Sequence, residues 1–333
     1  MNAVVTGANG FIGSVLVREL LRQGRSVRVL VHRKRRALEG CDVEVVEGDI
    51  CDPQSLAAAF EGAETVFHLA AIIALGQGDQ ARVEKTNIAG ARHCAEAALA
   101  AGVKRFVHFS SIHAFDLHDR EALIDESSPA AGAHHPLYDR TKAEADRAIR
   151  EVVKKGLHAV IVHPTATIGP GDRGPSRTGE VLLELQSRKL PALIDGGFNW
   201  VDVRDVVQGA LHAEEKGRAG EGYILSGFWH TTAELAGFSS EITGVAPPRL
   251  VFPLGPARFL APLGDLWGRL LKKEMRFSSY AINTLCGSPH ISCEKAKREL
   301  GYAPRAVREA VHDAHRFFVE KGMHPGPLVD VEA

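Results

Sequence analysis

Tyr138 and Lys142 stand four residues apart at the start of a stretch, 138–155, that is patterned as a helix and ended by Gly156. That spacing puts both side chains on one helical face. A phenol free in water has a pKa of ~10 and is a poor base at neutral pH. An ammonium held beside it stabilises the phenolate and brings it toward working range, so the pair can move a proton. Ser110 and Ser111 follow 106–109, an apolar run that reads as a strand. Ligands of a parallel sheet bind beyond the carboxyl ends of its strands, so a hydroxyl there can hydrogen-bond a substrate oxygen whose charge grows during reaction. Each feature alone has a plainer explanation: an exposed tyrosine beside a solvated lysine, and a serine pair capping a strand.

The second group of residues reads TGANGFIG, 6–13. Gly7, Gly10 and Gly13 follow an apolar run, 3–5, and lead into an amphipathic stretch, 11–21, before Gly24. In a strand–turn–helix unit the first glycine permits a tight turn with positive φ. The second lets backbone approach a pyrophosphate, and the third lets the helix pack closely on the strand. Unpaired N–H groups at the helix N-terminus then face negative charge. A dinucleotide is the expected ligand, with Gly7, Asn9, Gly10, Phe11, Ile12 and Gly13 among the residues that meet it. The spacing is G-x2-G-x2-G rather than the commoner G-x-G-x2-G.

These groups need a scaffold, and the first half of the chain supplies one. Strand patterns at 27–31, 43–46, 65–69, 106–109 and 157–162 alternate with helix patterns at 53–60, 81–101 and 138–155. Such alternation predicts an α/β fold, a parallel sheet with helices on both faces. After Pro164 the texture changes. A loop-rich passage, 169–179, is followed by proline-rich sequence in which shorter, less regular elements are expected. The expected division is a dinucleotide-binding domain over 1–164 and a smaller, mainly substrate-binding α/β region over 165–324. A segment near 199–215 is expected to return to the first domain, and a loose tail to run from 325 to 333.

Composition excludes several classes. The formal net charge is −1, so no global attraction to nucleic acid or anionic membrane is indicated. No run of ~20 apolar residues exists, and no integral membrane segment is expected. Met1 leads straight into the first strand, so no signal peptide is expected either. Five cysteines without a CxxC pair, and sixteen histidines without HExxH, point to no metal site and to reduced cytoplasmic thiols.

Taken in order, TGANGFIG, Gly48-Asp49-Ile50, His68-Leu69-Ala70-Ala71, Asn87, Ser110-Ser111, Tyr138-x3-Lys142 and His163-Pro164-Thr165 resemble the extended branch of the short-chain dehydrogenase/reductases. The likeness spans nearly the whole chain and includes 199–205, NWVDVRD, similar to the family's "FVDVRD" segment. YDRTKAEAD (138–146) and HPTATIGPGD (163–172) bring it nearer to dihydroflavonol 4-reductase-like and 3β-hydroxysteroid dehydrogenase-like members. The resemblance implies a Rossmann doubly wound sheet. It implies that Tyr138 is the acid/base, that Lys142 lowers its pKa and hydrogen-bonds the nicotinamide ribose, and that Ser111 polarises the substrate oxygen. Asp49 and Ile50 would flank the adenine, while Leu69, Ala70 and Ala71 line the cofactor beside Ser110. Asn87 would support this wall, and Pro164 and Thr165 would sit near the nicotinamide.

Members preferring NAD usually end the second strand on an acid. Here Val31 stands there, followed by His32, Arg33 and Lys34, a cluster that suits a 2′-phosphate. NADP(H) is therefore expected, with NAD(H) still possible. Sugar-nucleotide dehydratases carry Asp-Glu after the active-site serine; this chain has Ile112-His113, which discounts that reaction. His113 could face substrate or be a surface loop residue. The apolar segment 250–271 reads first as packing of the smaller region, then as a lid over an apolar substrate, then as a membrane-surface helix. The expected function is a carbonyl reductase or alcohol dehydrogenase for a medium-sized, partly apolar small molecule. The alternatives are an NAD-dependent sugar-nucleotide or hopanoid-associated epimerase and a non-catalytic dinucleotide sensor. Relatives dimerise through helices equivalent to 81–101 and 138–155, so a homodimer is expected.

Overall fold

The computed structural model describes residues 2–32, 36–74, 79–271, 279–324 and 328–329, with backbone alone for 265–271. The first half runs β1 (Asn2–Thr6), α1 (Phe11–Arg22), β2 (Ser26–Val31), β3 (Glu44–Glu47), α2 (Pro53–Phe60) and β4 (Thr65–His68). A long helix follows in three pieces: α3 (Gln80–Glu84), a π-helical turn (Lys85–Gly90) and α4 (Ala91–Ala100). Then come β5 (Arg105–Phe109), α5 (Leu137–Val153) and β6 (Ala159–Pro164). The second half runs β7 (Ala166–Ile168), α6 (Arg177–Gln186), β8 (Leu193–Ile194), β9 (Gly197–Asp202), α7 (Val203–Lys216), β10 (Gly222–Leu225), β11 (Phe228–Thr231) and α8 (Thr232–Thr243). It closes with β12 (Val251–Phe252), α9 (Leu254–Leu271), α10 (Ser279–Thr284), α11 (Glu294–Leu300) and α12 (Val307–Glu320).

The fold is Rossmann-like α/β. Seven parallel strands form the main sheet in the order β10-β6-β5-β4-β1-β2-β3. Its inner strands are apolar on both faces because both are covered. On one face Phe67, Val107 and Val160 pack against Leu16 and Leu20 of α1 and Val206 and Ala210 of α7. On the other, Val66, Phe106 and Ile161 meet Leu56, Phe60, Ala95 and Ile149. A separate core holds the second half, around Leu182, Trp200, Leu235, Val311 and Phe318.

Several details add to the sequence pattern or depart from it. Within 199–215, residues 199–202 lie in β9, part of a three-stranded sheet β11-β9-β7, while Val201 and the α7 residues Val206, Val207, Ala210, Leu211 and Ala213 pack into the core of the main sheet. What rejoins the main sheet is α7 with β10, its edge strand, and again Cys293–Tyr302 with α11. Residues 254–271 form one 18-residue helix rather than short irregular pieces. Proline is tolerated in a first turn, where Pro256 stands, whereas Pro262 lies inside the helix, where it removes an i to i−4 hydrogen bond and crowds the carbonyl of Arg258. Of the expected loose tail, 328 and 329 are described, and the Val329 N–H donates to the Ile242 carbonyl at 2.9 Å. No helix among the described residues is long and apolar enough to cross a membrane.

Candidate active site

The chain winds from β1 to β3 on one side and restarts at β4 on the other, so the sheet divides between β1 and β4. Ligands of such sheets bind in that crevice, beyond the strand ends. Gly7 turns at its lip with φ +69°, and a Cβ there would lie 2.6 Å from the Ala70 nitrogen. A Cβ on Gly13 would run into the Gly7 carbonyl oxygen. The tight turn therefore presses α1 against β1, and Gly10 starts α1 with no side-chain cap on its N–H groups.

A cleft of about 1170 Å³ opens there. Gly7, Asn9, Gly10, Phe11, Ile12 and Gly13 line it from the turn. His32 comes from the end of β2, with Asp49 and Ile50 beyond β3. Leu69, Ala70 and Ala71 follow β4; Ser110, Pro164 and Thr165 come from the ends of β5 and β6. Ser111, Tyr138 and Lys142 line the same cleft. Arg33 and Lys34 lie outside the described residues.

Asn87 and His113 are not brought to the cleft surface. Asn87 sits in the π-helical turn, donates to the Ile72 carbonyl (3.0 Å) and Thr141 Oγ1 (3.1 Å), and accepts from the Ile72 N–H (2.8 Å). It thus fixes the cleft wall from behind. His113 packs edge-on to Tyr138, ring centroids 5.9 Å apart, with Nδ1 3.3 Å from Asp139 Oδ1.

The catalytic trio is assembled by α5 and the end of β5. Tyr138 is buried, with the Ser111 hydroxyl near enough to favour its phenolate. Lys142 Nζ donates to the Phe109 carbonyl at 2.8 Å. The acidity runs opposite to expectation: burial pushes the Tyr138 phenol up to about 12, outweighing Ser111. Burial likewise draws Lys142 down to about 8, with Asp146 opposing. Desolvation penalises both charged forms at once, so this site holds a protonated phenol at neutral pH.

A family model described as "NAD dependent epimerase/dehydratase family" matches residues 3–225, ending at the last residue of β10. The chain belongs to that family. It is similar to a protein named "Sterol demethylase protein B" from Methylococcus capsulatus, 34% identical over 97% of this chain and 100% of the relative. It is also similar to a "Putative dihydroflavonol 4-reductase" from Synechocystis sp., 33% identical over 96% and 94% of the two chains. A solved structure, "Crystal structure of gox2253", superposes with a TM-score of 0.85, 34% identity and coverage of 97% and 99%. The protein is thus an oxidoreductase of the epimerase/dehydratase family, dependent on a nicotinamide dinucleotide.

The cleft fits such a cofactor. Ser110 Oγ and Thr165 Oγ1 are buried in its wall and find no hydrogen-bond partner among the described residues, a costly state unless a ligand satisfies them. The glycine turn supplies backbone donors for a pyrophosphate. Sequence reading missed further lining residues: Arg82 and Lys85 from the start of the three-piece helix, and Thr167, Ser176, Arg177 and Thr178 around α6. Arg82 and Lys85 lie three apart on one helical face, a spacing that could have flagged them. Tyr280 was also missed; its hydroxyl reaches back to donate to Asp139 Oδ1 at 2.9 Å.

Among the described residues one cluster has the composition of a metal site, Asp116, His118 and His135. The Gly132 N–H donates to His135 Nδ1 at 2.9 Å, so the ring's proton sits on Nε2, 3.2 Å from Asp116. That nitrogen has no lone pair to offer a metal. Burial would raise the Asp116 carboxyl, but hydrogen bonds from His118 and His135 hold it at about 2.

Proposed function

We propose that this oxidoreductase is an NADP(H)-dependent carbonyl reductase or alcohol dehydrogenase acting on a medium-sized, partly apolar substrate. One observation carries the reading: the Ser111 hydroxyl against a buried, protonated Tyr138, with Lys142 one turn along α5. A nicotinamide, when bound, exchanges hydride with the substrate carbon. Ser111 Oγ holds the substrate oxygen, and Tyr138 Oη gives it a proton as negative charge develops there. With its pKa raised to about 12, the phenol is protonated at neutral pH and has a proton to give. Lys142 anchors the ribose and moderates the phenol, while Ser110 and Thr165 meet the cofactor beside it.

Preference for NADP(H) is supported by Val31 at the end of β2 and by His32 on the cleft wall. The region after 164 is read as mainly substrate-binding, supported by Thr167 and Thr178 on the cleft. An apolar ring system as substrate is supported by the sterol and dihydroflavonol in the names of two relatives. Pairing of two copies through α4 and α5 belongs to the same reading, supported by their packing side by side. A cytoplasmic setting is supported by five free cysteines.

The test is oxidation of NADPH and NADH with a panel of steroid ketones and dihydroflavonols. NADPH should bind about tenfold tighter than NADH, a difference of about 1.4 kcal/mol. Tyr138→Phe should retain cofactor affinity and lose about a thousandfold in kcat/KM. Equal dissociation constants would remove the NADP(H) preference. Tightly held NAD with turnover in the absence of added cofactor would replace the reductase with an epimerase.

A further inference from the structure

The outward face of α9 has no part in the chemistry above. Nine large apolar side chains are exposed among the described residues, and five of them, Leu250, Val251, Phe259, Leu260 and Leu263, fall between 250 and 263. Single exposed apolar residues are ordinary, but a cluster marks an interaction surface. Helical spacing separates two faces of α9. Ala257 and Ala261 are buried against Ile282 of α10. Phe259 and Leu263, two positions on from each, fall on the opposite side and are 84% and 55% exposed. The solvent side of a helix ordinarily carries charge; this one carries a phenyl and an isobutyl group.

The charged groups of the segment indicate what covers it. Between Gly244 and Gly264 they are Arg249 and Arg258, both exposed, with no carboxylate. Arg249 directly precedes Leu250, and Arg258 lies on the flank of α9, about 100° around the helix from Phe259. Cations bordering an apolar patch match the phosphates that lie above the acyl chains of an anionic bilayer. A second copy seated here about a two-fold axis would bring the same cations together, with no carboxylate from this segment to pair them. The net charge of −1 gives no long-range pull, so the contact is local. No described helix is long and apolar enough to cross a membrane, so the contact lies along a surface. That surface adjoins the active site. Ile282, beneath α9, shares α10 with Tyr280, whose hydroxyl donates to Asp139 Oδ1 at 2.9 Å beside Tyr138.

We propose that residues 250–263 are a lipid-docking surface. On it α9 lies along an anionic phospholipid bilayer, with Phe259 and Leu263 entering the acyl region and Arg249 and Arg258 meeting headgroup phosphates. Arginine stems stay among apolar groups while the guanidinium reaches the phosphate layer. For an apolar substrate, docking brings the active site to the phase in which that molecule dissolves; this consequence rests on the proposed function, whereas the docking does not.

The test is co-flotation of the full-length protein with vesicles, either of phosphatidylcholine alone or of equal parts phosphatidylcholine and phosphatidylglycerol. The protein should bind the mixed vesicles about tenfold more strongly. F259S/L263S should weaken that binding about a hundredfold. Its Tm and its affinity for NADPH and NADH should be unchanged, because both side chains already face solvent. R249Q/R258Q should remove the difference between the two lipids. A wild-type chain that does not float with the mixed vesicles overturns the proposal, as does binding that survives F259S/L263S or a lipid preference that survives R249Q/R258Q. A dimer in analytical ultracentrifugation that F259S/L263S dissociates also overturns it, by assigning the face to a second copy. Flotation uses neither cofactor nor substrate, so a wrong substrate class would leave this result standing.

Discussion

At Gly7 the backbone leaves no room for any side chain. The Cβ of an alanine would press on Ala70 and Leu69 main chain, at a φ that L-residues disfavour. Gly7→Ala should therefore cost about 2–4 kcal/mol in stability, read by urea denaturation, and weaken cofactor binding with it. The glycines, Ser111, Tyr138 and Lys142 were legible because each carries its role in a local spacing. Tyr280 was not. It meets the site only after α10 has folded back onto α5, and a single tyrosine that far along the chain carries no local signal. The direction of the Tyr138 shift was also hidden: the sequence displays the neighbouring ammonium but not the burial that outweighs it.

Elements were legible where hydrophobic period and glycine stops agree, as in α2 and α5. The helix expected over 81–101 exists, but its period breaks at the π-helical turn, where Asn87 is turned toward Ile72. Such bulges gather at functional sites, and no residue spacing announces this one. The NWVDVRD segment proves to be a fastening between elements. Asp202 caps α7 through the Arg204 N–H, and Arg204 bridges Asp202 and Asp313 at 2.7 Å each. Asp205 accepts from the Arg305 N–H (2.8 Å) and guanidinium (2.9 Å). Asp205→Ala should lose about 2–3 kcal/mol, as hydrogen bonds to charged groups do, with the cofactor dissociation constant unchanged; chemical denaturation and cofactor titration check the two halves. Along α9, Ala257 and Ala261 pack on Ile282 while Phe259 is 84% exposed, so the expected packing role accounts for its inner face.

The whole molecule is more interleaved than its motif order suggests. Glu214 of α7 holds Arg25 by two 2.7 Å hydrogen bonds and accepts from Thr65 Oγ1 at 2.6 Å, tying late sequence to β4 and the start of β2. Leu300 and Tyr302 complete the core beneath α1 and α7. A fragment of residues 1–164 should therefore fail to give a cooperative thermal transition, whereas a fragment of 1–324 should still melt cooperatively, somewhat below the full chain because it lacks Leu328 and the Val329 hydrogen bond to Ile242; circular dichroism distinguishes them. The pairing of β10 with β6 has a consequence for biosynthesis. A ribosome finishes the serine, tyrosine and lysine of the catalytic trio well before it delivers the strand that covers β6. In that interval β6 is an open template for pairing with a neighbouring nascent chain. Holdase binding, or faster translation across 165–225, should therefore raise the yield of native protein more than any treatment of the finished chain, and slowed translation there should lower it.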